Sequence, residues 1–208
     1  MPDEQSALLA ASRARVYWFF GRLLAEAPAV EEMADVLHVL GELGAAVGQP
    51  VDVGCLEAAQ VAREFQDLFV IPLPGVAVSL YGHDHREADQ GLWGEREGKL
   101  AELAAALQLE WRSPDYGERQ AYIVSPDHLA VQFALLAQVI TLADDAGDRE
   151  YAGHSASEWS RLILDDLRSW VPRVVRQIAQ GPYPFYGTVL RLLAEYLAAD
   201  GIAESTSS

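Results

Sequence analysis

The chain has 208 residues, half of them apolar, which is enough for one domain or two small ones with a sizeable core. Its 31 acidic and 15 basic side chains give a formal net charge of −16, which repels the phosphates of nucleic acids and anionic lipid headgroups. Nucleic-acid binding and stable membrane binding are therefore disfavoured, whereas a cationic protein or peptide is favoured as a partner.

The N-terminus and the cysteine content both favour a cytoplasmic location. Cys55 is the sole cysteine, so the chain forms no internal disulfide and no site with several thiolate ligands. The start at Met1–Glu4 is acidic where a secretory signal is basic, and the apolar run 16–20 is too short to span a bilayer. We therefore expect a cytoplasmic protein.

In the first third of the chain, apolar residues recur at three- and four-residue intervals, the period of amphipathic helices. Three helices are predicted, over about 6–26, over about 30–47 and over the region 56–69, and each is followed by proline or glycine. From Ile71 to Leu92 this periodicity disappears. A loop of about 20 residues is predicted there, against a usual connection of about 4–6 residues.

Helical spacing returns around 100–107 and, after an irregular stretch around 111–117, again from Ser125. Ser125-Pro126 predicts a helix start, because serine caps exposed amides and proline suits the first helical position. That helix is expected to reach about 145. Two more helices are predicted around 159–170 and 185–196, followed by a polar tail after Gly201.

No strand alternation and no repeat is visible, so the predicted class is all-α. The expected architecture is a single helical bundle with the loop 71–92 between its N- and C-terminal halves. The domain is expected to cover 1–200, with 201–208 as a flexible tail. Monomer and domain-swapped homodimer both stay open, with the long loop as the swap hinge.

The common catalytic signatures are missing: the sequence has no phosphate-binding glycine loop, no Gly-x-Ser-x-Gly and no His-Glu-x-x-His. Neither catalytic residues nor metal or cofactor sites are therefore predicted. His83-Asp84-His85, with Asp89 nearby, carries metal-ligating groups, but a closed site needs about four fixed ligands, which favours a solvated loop. The alternative function is an all-α metal-dependent hydrolase that uses His83, His85, Asp127 and His128.

Polar residues follow the predicted helix start at Ser125. Asp127 and His128 are expected on the first turn, where the helix dipole favours an aspartate anion and a neutral imidazole. Gln132 lies one turn beyond His128 on the same face. Capping explains these residues in one interpretation; in the other they form a polar ledge beside a peptide groove.

Asp166 interrupts an apolar helix face, and aromatic residues gather near the irregular segments. A buried carboxylate is costly without a partner, so Asp166 either pairs with a cation or hydroxyl or lines a cleft. Most of the aromatic residues are expected in the core. Beside carboxylates, exposed ones such as Tyr81 and Trp93 would recognise a peptide that carries arginines before an apolar run.

The segment Ser125-Pro126-Asp127-His128-Leu129 resembles the Pro-x-Asp-His-Leu signature of the TorD/DmsD/NarJ family, the maturation chaperones of molybdenum oxidoreductases. Three other passages lie in the family's order over about residues 15–197. The stretch 64–74 with Ser79-Leu80-Tyr81 is similar to a Tyr/Phe-x-x-Leu-Phe…Pro…Ser-Val-Tyr passage, and 167–172 is similar to a His-Leu-x-x-Trp segment. Pro184-Phe185-Tyr186 is similar to the C-terminal Phe-Tyr.

The resemblance implies an all-helical protein without catalysis or a cofactor of its own. It implies binding of the twin-arginine leader, or of the apo form, of a catalytic subunit of the dimethyl sulfoxide reductase type until its molybdopterin cofactor is inserted. Asp127 and His128 match signature positions implicated in leader binding, and Tyr81 and Trp93 fall in the loop that flanks the groove. Asp166 stands where the family often has histidine, and Gly82–His85 looks like an insertion.

A twin-arginine leader has a cationic start and an apolar run, so its receptor should pair carboxylates with an apolar trough. Ordering a flexible leader costs entropy, which predicts micromolar affinity and easy release. A guanine-nucleotide switch is a third candidate, disfavoured because no phosphate cradle is visible. The predicted peptide-binding residues are Asp127, His128, Gln132, Tyr81, Trp93 and Asp166.

Overall fold

The computed structural model describes residues 4–51, 56–70, 77–85, 95–109, 125–145 and 148–205. Seven α-helices lie in these ranges: α1 (Glu4–Ala25), α2 (Met33–Ala46), α3 (Ala58–Phe65), α4 (Glu95–Ala106), α5 (Leu129–Asp145), α6 (Ala156–Ile178) and α7 (Pro184–Ser205). The predicted all-α class is confirmed. None of the described helices is both long enough and apolar enough to cross a membrane.

The helices lie close to their predicted ranges, with differences at the ends. A 3₁₀ turn at Val30–Glu32 precedes α2, and a π-helical turn at Gln66–Val70 extends α3. Helix α7 continues to Ser205, past the predicted start of the tail at Gly201. Of the predicted loop, the structure describes 77–85. Cys55, Asp89 and Trp93, and the irregular stretch around 111–117, lie outside the described residues.

The chain divides into two compact units that interleave in sequence. The first comprises Met1–Ala25 and Leu80–Asp166, and the second comprises Glu26–Ser79 and Leu167–Ser208. Helix α6 contributes its residues up to Asp166 to the first unit and those from Leu167 to the second.

In the first unit, α1 packs along α5. The rings of Tyr17 and Phe133 stack with their centroids 5.7 Å apart, and both side chains are buried. A Cβ at Gly21 would lie 3.1 Å from the Phe133 Cβ and 3.2 Å from the Ala130 carbonyl oxygen, so glycine permits the close approach. This packing fixes the first half of α5, which carries the candidate site.

A small hairpin precedes α6 in the first unit. Glu150–Tyr151 pairs antiparallel with His154–Ser155, and the two turn residues Ala152 and Gly153 have φ of 47° and 84°. Two positive φ values are typical of the tight turn that matches strand twist. The prediction of no strand is wrong here, because strands of two residues are too short to show alternation.

In the second unit, a buried carboxylate serves the start of α7. The Glu64 Oε2 accepts the backbone N–H groups of Phe185 and Tyr186 at 3.1 and 3.2 Å, amides that lack an acceptor within their own helix. The Tyr186 ring packs against those of Phe65 and Phe69. Burial raises the pKa of Glu64, although the two backbone hydrogen bonds oppose the shift.

Candidate functional site

The candidate site is the region where the segment 80–85 meets the turn before α5, called here the loop–helix junction. Tyr81 forms an antiparallel bridge with His128, and the Leu129 N–H donates to the Leu80 carbonyl at 2.8 Å. These bonds hold residues 125–128 in a non-helical turn. The prediction that the helix starts at Ser125 is therefore wrong, and α5 begins at Leu129.

His128 takes the capping role that the sequence assigned to Ser125. Its carbonyl accepts the N–H groups of Val131 and Gln132, and its Nδ1 accepts the Ala130 N–H at 3.2 Å. A side-chain acceptor for the second amide of a helix is the usual N-cap arrangement. Since Nδ1 accepts, the proton of the neutral ring is assigned to Nε2.

Asp127 connects the junction through both its side chain and its backbone. Its Oδ2 accepts the backbone N–H of His83 at 3.0 Å and lies 2.9 Å from the His83 Nδ1, to which we assign the shared proton. Its carbonyl accepts the N–H of Gly82 at 3.2 Å and the Nε2 of Gln132 at 2.7 Å. Asp127 thus fixes the segment 80–85 to the start of α5.

Ser125 links this cluster to α4. Its hydroxyl lies between the Oδ1 of Asp127, at 2.9 Å, and the Oε1 of Glu97. A hydroxyl has one proton to donate, so it donates to one of the two carboxylates at a time. Two carboxylates consequently meet at this junction.

The imidazole of His128 is uncharged at neutral pH. Burial lowers the pKa of His128 to about 3, although the negative charge of Asp127 opposes the shift. The rings of His128 and Tyr81 meet edge to face with their centroids 4.9 Å apart. The junction therefore gains no positive charge from His128 at physiological pH.

Asp166 has a cation as its partner. The Arg96 Nη1 lies 3.2 Å from the Asp166 Oδ1, and the Arg96 Nη2 donates to the Leu162 carbonyl at 3.0 Å. Asp166 itself is buried. Of the two explanations that the sequence left open, the structure shows the tertiary pair, which connects α4 with α6.

The structure brings Tyr81, Asp127, His128 and Gln132 together, and it buries the last three of them. Asp127 is 0% exposed and His128 1%, and Gln132 is equally buried. Of the two interpretations that the sequence left open, this burial agrees with the structural one rather than with a polar ledge, because the polar atoms of these residues bond to other groups of the chain. Tyr81 stays partly exposed, whereas Trp93 lies outside the described residues.

Sequence reasoning joined His83 to Asp127 and His128 only in the metal-dependent alternative and did not count it among the peptide-binding residues. Its position in a long loop predicted a solvated side chain, yet it contacts Asp127, 44 positions later in the chain. The Asp84 side chain beside it is 46% exposed. No local pattern indicates the direct hydrogen bond between His83 and Asp127.

The metal-dependent alternative gains no support from this arrangement. Within the described ranges, no three His, Cys, Asp or Glu side chains are placed to hold a metal ion together. The Nδ1 of His83 and the Oδ2 of Asp127 bind each other, and the Nδ1 of His128 accepts a backbone N–H. These atoms therefore form hydrogen bonds that stabilise the fold.

Comparison with known proteins gives two matches. Residues 26–176 match the model of a family described as nitrate reductase delta subunit. The chain is 24% identical over 207 residues to the chaperone protein TorD of Aeromonas salmonicida (strain A449), and the match covers 90% of this chain and 89% of that relative. No solved structure matches it.

Proposed function

The chain belongs to the nitrate reductase delta subunit family, and from this premise we propose that it is a maturation chaperone for the catalytic subunit of a molybdenum oxidoreductase. In this proposal it acts in the cytoplasm as a binding protein without enzymatic activity. It holds the twin-arginine leader or the apo form of that subunit and assists cofactor insertion before export or assembly. The similarity to a chaperone over most of both chains supports this class of function.

The observation that carries the leader-binding part of the proposal is the loop–helix junction. The residues that match the family signature, Asp127 and His128, are buried and hold the segment 80–85 in place. We infer that they act as positioning residues and that the leader contacts the outer surface of this segment. Tyr81 supplies a partly exposed aromatic ring there, and Asp84 supplies an exposed carboxylate.

Charge favours a cationic peptide at this surface. Asp84 is exposed and Glu97 is partly exposed, and the low pKa of His128 keeps that ring neutral at the junction. In a chain of net charge −16, these carboxylates speed encounter with arginines and fix their register. Apolar burial of the leader's hydrophobic run supplies most of the affinity, at about 25 cal/mol per Å².

Isothermal titration with a synthetic twin-arginine leader tests the proposal. We expect a micromolar Kd that weakens as salt is raised, and little binding of a matched leader with glutamines in place of the two arginines. Asp84→Asn should weaken binding about 3- to 10-fold at low salt, because it removes an exposed carboxylate at the contact. Asp35→Asn on α2 changes the net charge equally and serves as the matched control.

Failure of both the leader and the apo-subunit to bind would contradict the proposed function. Equal effects of Asp84→Asn and Asp35→Asn would contradict the placement of the leader at the segment 80–85, since they would reveal only a dependence on net charge.

A further inference from the structure

Helix α1 carries most of the large apolar side chains that are exposed in the described part of the chain. Four such side chains are exposed there, and three of them, Leu8, Leu9 and Trp18, lie on this helix. Leu8 is 68% exposed and Trp18 is 52% exposed. Exposed apolar residues that gather on one element commonly mark an interaction surface. The solvent-facing side of α1 is therefore a candidate for one.

The exposed residues form a regular row along the helix, called here the α1 seam. It consists of Leu8, Ala11, Arg15 and Trp18, which are spaced by three, four and three residues and are all exposed. Such intervals place side chains in one line that can pack against a second helix. Except for Leu8, these residues also line a largely apolar cleft of about 800 Å³, whose other walls are the end of α4, the second half of α5 and the hairpin.

The charge of α1 differs from that of the rest of the chain. The sequence has no Asp or Glu from Gln5 to Ala25, although 31 of its 208 residues are acidic. Two copies of a chain with a net charge of −16 repel each other, and this repulsion is smallest where the facing surfaces carry no carboxylate. The α1 seam is therefore a surface on which a second copy of the chain meets little repulsion.

The sizes of the side chains along the seam make it complementary to itself. In an antiparallel pair of α1 helices with the twofold axis level with position 13, residues equally far before and after that position face each other. Leu8 then faces the Trp18 of the second copy, and Ala11 faces the Arg15 of the second copy. Each exposed apolar side chain meets another, and each alanine leaves room for an arginine stem whose guanidinium reaches solvent.

We propose that the protein forms a homodimer in which the α1 helices of two copies pack antiparallel along this seam. Each helix then lies in the cleft beside α1 of the other copy. The contact is short, because Leu8 and Trp18 are about 15 Å apart along the helix axis. Interfaces that bury less than about 1,200 Å² are typically weak and transient, so the dimer forms reversibly. The seam shares no described residue with the loop–helix junction, so the dimer does not depend on leader binding.

Sedimentation equilibrium of the full-length wild-type protein tests for this dimer, over concentrations of about 1–200 µM at low and high salt. We expect a reversible monomer–dimer equilibrium with a Kd on the order of 10 µM. The dimer should strengthen about 3- to 10-fold as salt is raised, because salt screens the repulsion between two copies of net charge −16.

A pair of variants locates the contact. Trp18→Glu places a carboxylate in the seam and should weaken the dimer at least about 10-fold. The matched control is Val30→Glu, which makes the same change of charge at a side chain that is 76% exposed and lies before α2, outside the seam. This control should leave the Kd close to that of the wild type. Circular dichroism and Tm of each variant verify that it is folded.

A mixing experiment tests the antiparallel arrangement. Leu8→Glu and Trp18→Lys should each weaken the homodimer, because each places a charge against an apolar side chain of the second copy. In an equal mixture of the two variants, the glutamate of one faces the lysine of the other, while the remaining Leu8 and Trp18 still meet. We expect the mixture to associate at least about 10-fold more tightly than either variant alone.

Three results would overturn the proposal. They are a wild-type chain that stays monomeric at about 200 µM in high salt, equal effects of Trp18→Glu and Val30→Glu, and a mixture that associates no better than its two components. The second result would assign association to another surface or to exchange of segments between copies. Because none of these measurements includes a leader, failure here leaves leader binding intact, and failure of leader binding leaves the dimer intact.

Discussion

Asp127 in the first unit and Glu64 in the second are buried carboxylates that accept backbone N–H groups from distant parts of the chain. Asp127 binds the amide of His83, 44 positions away, and Glu64 binds those of Phe185 and Tyr186, 121 and 122 positions away. The surroundings differ. Glu64 serves a helix start packed with aromatic rings, whereas Asp127 supports a segment that includes the partly exposed Tyr81.

This difference shows what a buried motif residue can do in such a protein. Glu64 stabilises a core, and Asp127 shapes a surface through the same kind of hydrogen bond. In the proposed function, Asp127 therefore influences leader binding without touching the leader. The comparison is open to experiment because each carboxylate can be changed separately.

The largest effect is expected for Asp127→Ala. It removes the acceptor of the His83 amide, the His83 ring and the Ser125 hydroxyl, so the free energy of unfolding should fall by about 3–4 kcal/mol. Urea denaturation measures this loss. Asp127→Asn keeps one acceptor oxygen and should lose about half as much. A loss below about 1 kcal/mol for Asp127→Ala would contradict the role of this carboxylate in the junction.

Glu64→Ala should lower the free energy of unfolding by about 2 kcal/mol, because two amides at the start of α7 lose their acceptor. Glu64→Gln keeps an acceptor and should cost less than about 1 kcal/mol. The comparison predicts that Glu64→Gln leaves leader affinity unchanged, whereas Asp127→Asn weakens it. Equal effects of the two variants on the leader Kd would remove the distinction between the regions.

The raised pKa of Glu64 fixes the sign of its pH dependence. The folded state holds this proton to higher pH than the unfolded state, so the contribution of Glu64 to stability falls as the pH rises through its folded pKa. The Glu64→Gln variant has no carboxyl group at this position, so its stability does not fall in this way as the pH rises. Relative to wild type, the variant should therefore gain stability as the pH is raised from 4 to 7.

His128 gives a pH dependence of the opposite sign. Its pKa is lowered from 6.5 to about 3, so the unfolded state binds the proton first and stability falls as the pH drops below about 6.5. The cost is about 1.4 kcal/mol at pH 5.5. His128→Asn should remove this fall, whereas His38→Asn, at an exposed histidine, should retain it. An unchanged pH profile in His128→Asn would contradict a buried neutral ring.

The sequence predicted the helices well because their apolar stripes are local signals. The predicted start of α5 was wrong because it depends on contacts with residues that are distant in the sequence. Ser125-Pro126 is a good local start signal, but bonds from Leu80 and Tyr81, more than 40 residues earlier, hold the turn out of the helix. The hairpin at 150–155 was missed because it offers too few residues for a period.

The sequence predicted which residues belong to the candidate site, but it did not predict how they are arranged. Asp127, His128, Gln132 and Tyr81 do meet, yet their burial depends on the segment 80–85 lying over them. Asp166 was expected to have either a cation partner or a cleft, and spacing along one helix could not identify Arg96 on another. Such contacts are set by packing between elements.

Photo-crosslinking of a twin-arginine leader tests the central claim most directly. A photoreactive residue is placed next to the two arginines, the leader is irradiated with the full-length protein, and mass spectrometry locates the attachment. Our account predicts crosslinks within 80–85 that Asp127→Asn reduces and Glu64→Gln does not. Crosslinks confined to other parts of the chain, with none in 80–85, would contradict it.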